Sequence, residues 1–379
     1  MAMAAPTRST STDPITLFLC GDVMLGRGID QILPHPGDPQ LHEPAVTLAT
    51  TYVELAERVN GPIPRPVGFS YVWGDALAAL EDAQPDLRIV NLETSITASL
   101  EFLPKGINYK MHPANVPCLG AAGIDCCVLA NNHVLDWGRA GLLETLETLD
   151  RAGIRRAGAG RDATEAQAPA VLEVAGKGRV LVFAYGSLTS GIPPDWAAGR
   201  DQPGVSLLED LTARTVAGIA ERVRAVRRPH DVVIASIHWG GNWGYEIPRA
   251  QRGFAHRLID EAGIDLVHGH SSHHPKAIEI YRDKPILYGC GDFVNDYEGI
   301  AGYETFRDDL VLMYLPRLAL PSGRLLALRL IPFQIRRLRL HRASPADAAW
   351  LGGVLDRESR PFGTRVEVLP DHSLSVGWG

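Results

Sequence analysis

The sequence predicts an α/β protein with a largely buried sheet, on three observations. Short runs rich in Val, Ile and Leu alternate with longer stretches of helical period. The runs are continuous rather than alternately polar, as in strands covered on both faces. Nearly every run stops at a residue of metal-binding type, and open α/β sheets bind ligands beyond the carboxyl ends of their strands.

The elements follow in order. "ITLFLCGD" (15–22) reads as a first buried strand ending in Gly-Asp, "LRIVNLE" (87–93) as a second and "IDCCVLANNH" (124–133) as a third. "GRVLVFAYG" (178–186), "DVVIASIHWG" (231–240), "IDLVHGH" (264–270) and "PILYGCGD" (285–292) continue the series. Helical periodicity marks 43–59, 74–83, 139–152, 207–227 and 249–262. The Pro/Gly-rich segments 59–68 and 188–204 read as long surface loops that could border a site. "IRRLRLHR" (335–342) alternates basic and apolar residues, as a strand with one wet face does; that face is open between solvent and an anionic polymer. An amphipathic helix (345–359) and a final hairpin close the chain. Three segments result: a disordered lead-in over 1–13, a main domain over 14–342, and a helix and hairpin over 343–379 packed on that domain.

Composition excludes several classes. The chain has 379 residues, 45% hydrophobic and 21% charged, as an ordinary globular protein does. A formal net charge of −7 gives no basic field for nucleic acid. No window approaches the roughly 20 apolar residues that span a bilayer. The five cysteines form no CxxC pair and mostly sit in apolar runs, which reads as reduced thiols in a cytoplasmic protein.

The strand endings carry the chemistry. They are Asp22, Glu93, Asn132 with His133, His238, and His270. One histidine at a strand end is ordinarily structural, but five such endings in one chain strain that explanation. The stretch "HGHSSHHP" (268–275) adds a local concentration of histidine. It is internal and interrupted, so it is no purification tag. Asp, Glu, Asn and His without thiolate form an N/O donor set suited to one or two divalent ions, Mn, Zn or Fe.

The series "GDVMLGR" (21–27), "NLETSIT" (91–97), "NNHVLDWG" (131–138), "HWGGNWGYE" (238–246) and "GHSSHHPKAIEIYRDKPILYGCGDFVND" (269–296) resembles the poly-γ-glutamate capsule biosynthesis (CapA-type) family. That family belongs to the calcineurin-like metallophosphoesterase superfamily. The resemblance implies an αββα sandwich with a metal site at the strand C-terminal ends. It implies Asp22 as first ligand, Glu93 as bridging carboxylate, Asn132 as amide ligand, and His238, His270 and His273 as histidine ligands. It implies His133 as a substrate-contacting general acid and Arg27 as the group that holds an anionic substrate. His268 reads as a supporting or packing residue, and His274 stays outside the ligand set.

Two departures matter. The superfamily's first motif is Asp-x-His, whereas Met24 stands at the histidine position, a feature shared by CapA-type sequences. Asp292 stands where the family more often has Asn, open between attracting a cation and ending a strand. Several neighbours keep two readings. Trp239, Trp243 and Tyr245 line a channel or pack a loop. Glu246 is a base, a partner of a histidine, or a surface carboxylate. Asp136 caps the following helix in preference to touching metal. Lys105, Lys110 and His112 lie on a loop that could reach an anionic substrate, with solvated charge as the default.

The expected function is a metal-dependent hydrolase or transferase acting on an anionic phosphoester or a γ-glutamyl or other amide substrate through metal-activated water. A non-catalytic component of poly-γ-glutamate synthesis that binds metal or polymer is the first alternative. Amide formation or cyclisation at the same site is the second. The expected partner is an anionic small molecule or a glutamyl peptide, with no nucleic acid and no membrane span.

Overall fold

The computed structural model describes residues 13–379. The lead-in expected over 1–13 thus lies, apart from Asp13, outside the described residues. The architecture is mixed α/β, with two large sheets and two small ones among the described residues.

The larger sheet has ten strands. Its parallel part runs through Ile15–Val23, Leu87–Leu92, Cys126–Val128 and Arg155–Ala157. On the other side of strand 15–23, the antiparallel strands Leu310–Ala319 and Arg324–Ile335 extend it. The hairpin Thr364–Val368 with Leu374–Trp378 joins this sheet at strand 324–335, beside the helix Pro345–Ser359. The second sheet has seven strands, with Gly178–Ser187, Val232–His238, Leu266–His270 and Lys284–Leu287 parallel in that order.

Side-chain parity explains how the second sheet is covered. Val180, Val182, Val232, Ile234 and Leu266 join the core that contains strand 15–23. The residues between them, including Leu181, Phe183, Val233, Ala235 and Val267, pack against Phe254 and Leu258 of helix Arg249–Ala262 and Ile219 of helix Ala213–Val226. Successive strand residues point to opposite faces. The same parity puts Ser236, His238, His268 and His270 on the face turned toward the larger sheet.

Two sequence expectations resolve differently. "PILYGCGD" is not one strand but two, Lys284–Leu287 in the second sheet and Asp292–Val294 in the first. The chain crosses between sheets at Gly291, whose φ of 76° is open to glycine without strain. "IRRLRLHR" is a turn, because Arg337 and Leu338 both have positive φ and reverse the chain into Leu340–Arg342. No helix among the described residues is long and apolar enough to cross a membrane.

Gly21 is the tightest point of the framework. A Cβ there would lie 1.6 Å from the Gly291 carbonyl oxygen, and the Asp22 N–H donates to that oxygen at 3.0 Å. Gly21→Ala must separate strands 15–23 and 292–294. Chemical denaturation is expected to show a loss of about 3 kcal/mol or more; an unchanged midpoint would contradict this placement.

Candidate metal centre

Asp22 ends strand 15–23 between both sheets and is 1% exposed. Asn91 Nδ2 donates to its Oδ1 at 2.7 Å, and the Ser271 backbone N–H donates to its Oδ2 at 3.2 Å. Asn91 is held in turn by Asn131, which donates to Asn91 Oδ1 at 3.1 Å and to the Leu92 carbonyl at 2.8 Å. His238 and His270 are register partners at adjacent strand ends. Asp292 is the register partner of Asp22 on the opposite side.

These placements form two ligand groups that share one carboxylate. Asp22, His238 and His270 offer atoms within 4.8 Å of one another, and so do Asp22, His273 and Asp292. His270 Nδ1 stands 3.7 Å and His238 Nδ1 4.0 Å from Asp22 Oδ1, and the two nitrogens are 2.8 Å apart. His273 Nδ1 is 3.0 Å from Asp292 Oδ1. Asp22 is common to both groups, and Glu93, expected as the bridging carboxylate, belongs to neither. Glu93 is buried beside Asp22, with Oε1 3.7 Å from His238 Nε2 and 3.9 Å from His133 Nε2. Asn132 Oδ1 lies 3.0 Å from His238 Nε2.

Hydrogen-bond logic fixes one tautomer. His268 Nε2 faces the Cys20 carbonyl at 2.7 Å, which only accepts, so this nitrogen carries the proton. Neutral His268 then accepts at Nδ1 from Ser236 Oγ at 3.0 Å. The Ser236 oxygen is left to accept from His270 Nε2 at 2.9 Å. His270 Nδ1 consequently presents a lone pair toward Asp22. Burial keeps both imidazoles neutral, with His268 pushed down to about 4 and His270 well below its ordinary value. Such partners orient a metal-binding histidine. His268 is thus a supporting residue, and His274 stays outside both groups with Nδ1 on the Pro275 carbonyl at 3.2 Å.

The residues fit a divalent cation. Three carboxylates, Asp22, Glu93 and Asp292, are each no more than 3% exposed and close enough to repel one another. Burial, then the Asp292 charge, pushes Asp22 up to about 7; burial and Asp22 push Glu93 well above the carboxylate range. Burial pulls His273 down, but Asp292, Asp22 and Asp308 together outweigh it and the net shift is upward. Lone pairs and carboxylates that converge in this way call for a positive centre.

His133 stands at the cavity side of the cluster. Its Nδ1 donates to Asp136 Oδ2 at 2.6 Å, and Asp136 Oδ1 accepts from Lys105 Nζ at 2.7 Å. Asp136 also accepts from the Tyr109 N–H at 2.7 Å, and helix Gly138–Arg151 has no side-chain cap. The capping role expected for Asp136 is therefore replaced by a hold on His133. Burial brings His133 down to about 4, so it is neutral at neutral pH with Nε2 as an acceptor.

Arg27 also departs from expectation. Its Nε donates to Asp296 at 3.2 Å, its second edge donates to the same carboxylate, and Nη1 donates to Glu43 at 3.1 Å. The guanidinium sits 4.6 Å from the Tyr109 ring centre, and the His133 ring stacks on that ring at 3.9 Å. An arginine with two carboxylates of its own is not free to clamp an anion; its contacts position Tyr109 and, through it, His133. Asp296, Glu43 and Tyr109 are distant in sequence and gave no local signal.

Other readings also resolve. Trp243 lines the cavity, whereas Trp239 is buried and donates to the Tyr288 carbonyl, and Tyr245 packs on His274. Glu246 is exposed. Lys105 enters the cavity, while Lys110 lies over the Trp137 ring and His112 accepts from the Ala114 N–H. Of the expected border loops, 188–204 reaches the site, through Ser190 on the His238 carbonyl at 3.0 Å.

A family model, "Bacterial capsule synthesis protein PGA_cap", matches residues 16–297. A "probable polyglutamine synthesis accessory protein" of Mycobacterium tuberculosis is 53% identical over 366 residues, 96% of each chain. The "Capsule biosynthesis protein CapA" of Bacillus anthracis is 23% identical over 82% of this chain and 66% of its own. The "PGA biosynthesis protein CapA" of Bacillus subtilis is 24% identical over 89% of this chain and 75% of its own.

Two measurements check the site. Ser236→Ala removes the acceptor that fixes His270, and is expected to weaken Zn²⁺ or Mn²⁺ binding by about 10–100-fold in competition titration; equal affinity would refute the tautomer chain. In metal-stripped protein, stability should fall as pH rises from about 7.5 to 8.5. The raised groups Asp22, Glu93 and His273 bind protons more tightly folded than unfolded, and lose that advantage as pH passes their folded pKa. His133, His238, His268, His270 and His274, all shifted down, raise stability only while the unfolded chain still protonates them, and above about pH 7.5 they are neutral in both states. A flat or rising profile by denaturant titration would contradict the assignment.

Proposed function

The chain belongs to the bacterial capsule synthesis protein PGA_cap family, and from that premise we propose that it is a metal-dependent hydrolase or transferase acting on a γ-glutamyl amide or related anionic substrate. The observation that carries this reading is the sharing of buried Asp22 by two candidate ligand groups beside a cavity that His273 and Glu93 line. Manganese, zinc and iron suit the N/O donor set. When bound, such a cation supplies Lewis-acid polarisation of a substrate oxygen and makes water more acidic.

The chain's own residues do the rest. Asp22, His238 and His270 hold one position, and Asp22, His273 and Asp292 the other. Met24 supplies no imidazole; it is buried, with its N–H on the Val294 carbonyl at 2.8 Å. Asp292 compensates with a carboxylate. Asn132 orients His238, and Glu93 adds negative charge between the cluster and His133. His133 Nε2 accepts a proton from the attacking group, and the Asp136 carboxylate stabilises the imidazolium that results. Arg27 and Tyr109 keep the His133 ring in plane. Helical cover on the outer faces of two stacked sheets supports reading the fold as the αββα sandwich of calcineurin-like phosphoesterases, with 14–342 as its main domain and 343–379 packed upon it. The five buried, unpaired cysteines suit a reducing compartment such as the cytoplasm.

A second reading rests on a specific observation. The mycobacterial relative is named for an accessory role in polyglutamine synthesis, and Met24 removes one expected ligand. In that reading the site binds metal and a glutamate-rich chain without turning it over.

The test is a mass-resolved incubation of Mn²⁺- or Zn²⁺-loaded protein with γ-glutamyl oligomers and a phosphoester. Asp22→Asn and His238→Ala are expected to lower turnover by at least about 1,000-fold with the circular dichroism spectrum retained. His133→Ala should lower it by about 100–10,000-fold. Tight oligomer binding with no metal-dependent turnover would select the accessory reading instead.

A further inference from the structure

The cavity beside the cluster measures about 550 Å³. Glu93, Asn132, His133 and His273 form its cluster side. Trp243, Tyr303 and Asp308 lie on its wall as well. Its charge pattern does not match a purely anionic ligand. Arg27 and Lys105 are the two Lys or Arg side chains among its lining residues, and both are already committed, Arg27 to Asp296 and Glu43 and Lys105 to Asp136. Arg27 with its two carboxylates sums to one negative charge.

Asp308 has no partner of this kind, and His273 acts on it only at longer range. Among the described residues, no Lys, Arg or His forms an ion pair with its carboxylate, and no other side chain donates to it. Burial and then Asp292 raise it to about 6, so it is still mainly ionised at neutral pH. The same loop carries Tyr303, which stacks on Trp243 at 3.9 Å and 7°, and Phe306, whose ring lies 5.3 Å from that of Trp243. Tyr303 is 38% exposed. Aromatic faces attract organic cations, and an uncompensated carboxylate beside them adds a counter-charge.

We propose that this cavity takes a ligand with a primary ammonium group, held at Asp308 and the Trp243–Tyr303 wall while its carbonyl or acidic end meets the cluster. The proposal rests on the reading that substrate reacts at the cluster, and it narrows the substrate to an amine-ended unit, such as a γ-glutamyl residue with a free α-amine. An interior stretch of polymer offers carboxylates without an ammonium group and lacks the group that Asp308 would meet.

Binding tests this without turnover. Calorimetry on Zn²⁺- or Mn²⁺-loaded protein would compare γ-glutamylglutamate with its N-acetyl derivative, metal content being measured in the same samples. The free amine is expected to bind at least about 10-fold more tightly. Asp308→Asn, nearly the same shape, should abolish that preference while leaving metal content and the affinity for the acetylated probe unchanged. Equal affinity for the two probes, a preference that survives Asp308→Asn, or no binding of the free amine to cation-loaded protein would each overturn the proposal. In those cases a loaded metal site leaves the cluster reading standing; a protein that takes up no metal sinks both.

Discussion

The structure depends on the Asp22 carboxylate being held where water cannot solvate it. Transfer of a carboxylate out of water costs several kcal/mol even after relaxation. Asn91 and the Ser271 N–H return about 1.5–3 kcal/mol each as hydrogen bonds to a charged group. Asp292 and Glu93 then add repulsion, and the balance shows as an Asp22 pushed up to about 7. The fold maintains this arrangement through tight backbone contacts. Gly21 and Gly291 let two strands approach closely, and Ser271 adopts a φ of 100° with its N–H turned on Asp22. Strained, uncompensated geometry of this kind persists where its surroundings over-determine it, and it marks functional sites.

The two sheets contribute unequally. The larger one supplies carboxylates and amides through Asp22, Glu93, Asn132 and Asp292. The second supplies nitrogen, because parity along strands 232–238 and 266–270 turns Ser236, His238, His268 and His270 inward. One sheet therefore brings negative charge and the other neutral, oriented donors. A cation between them would meet both. His133 is organised separately, by Asp136 and Lys105 in its plane and by Tyr109 and Arg27 stacked beside it. Glu93 joins the two parts, its Oε1 standing 3.7 Å from His238 Nε2 and 3.9 Å from His133 Nε2.

The strand endings were legible because the sheet exposes its ligands where apolar runs stop. Asp22, Glu93, His238 and His270 each follow buried residues, and their types name the chemistry. What escaped the sequence is contact between distant segments. Asp292 looked like the end of a strand, yet it begins one, because the chain changes sheets at Gly291. Arg27 looked like a free cation, yet Asp296 lies 269 positions away and neutralises it. Asp136 looked like a helix cap, yet its oxygens turn back to His133, Lys105 and Tyr109. Lys105, read by default as solvated, enters the cavity. Local pattern reports which residues end an element; it does not report which element from elsewhere arrives beside it.

The most direct test is the metal stoichiometry of the purified protein, by mass spectrometry of the element after equilibration with Zn²⁺ or Mn²⁺, beside Asp22→Asn and Asp292→Asn. The account predicts bound metal in the wild type, loss of both positions in Asp22→Asn, and loss of only the His273 position in Asp292→Asn. A wild type that takes up no divalent metal, or an Asp22→Asn protein that takes up as much as the wild type, would contradict it.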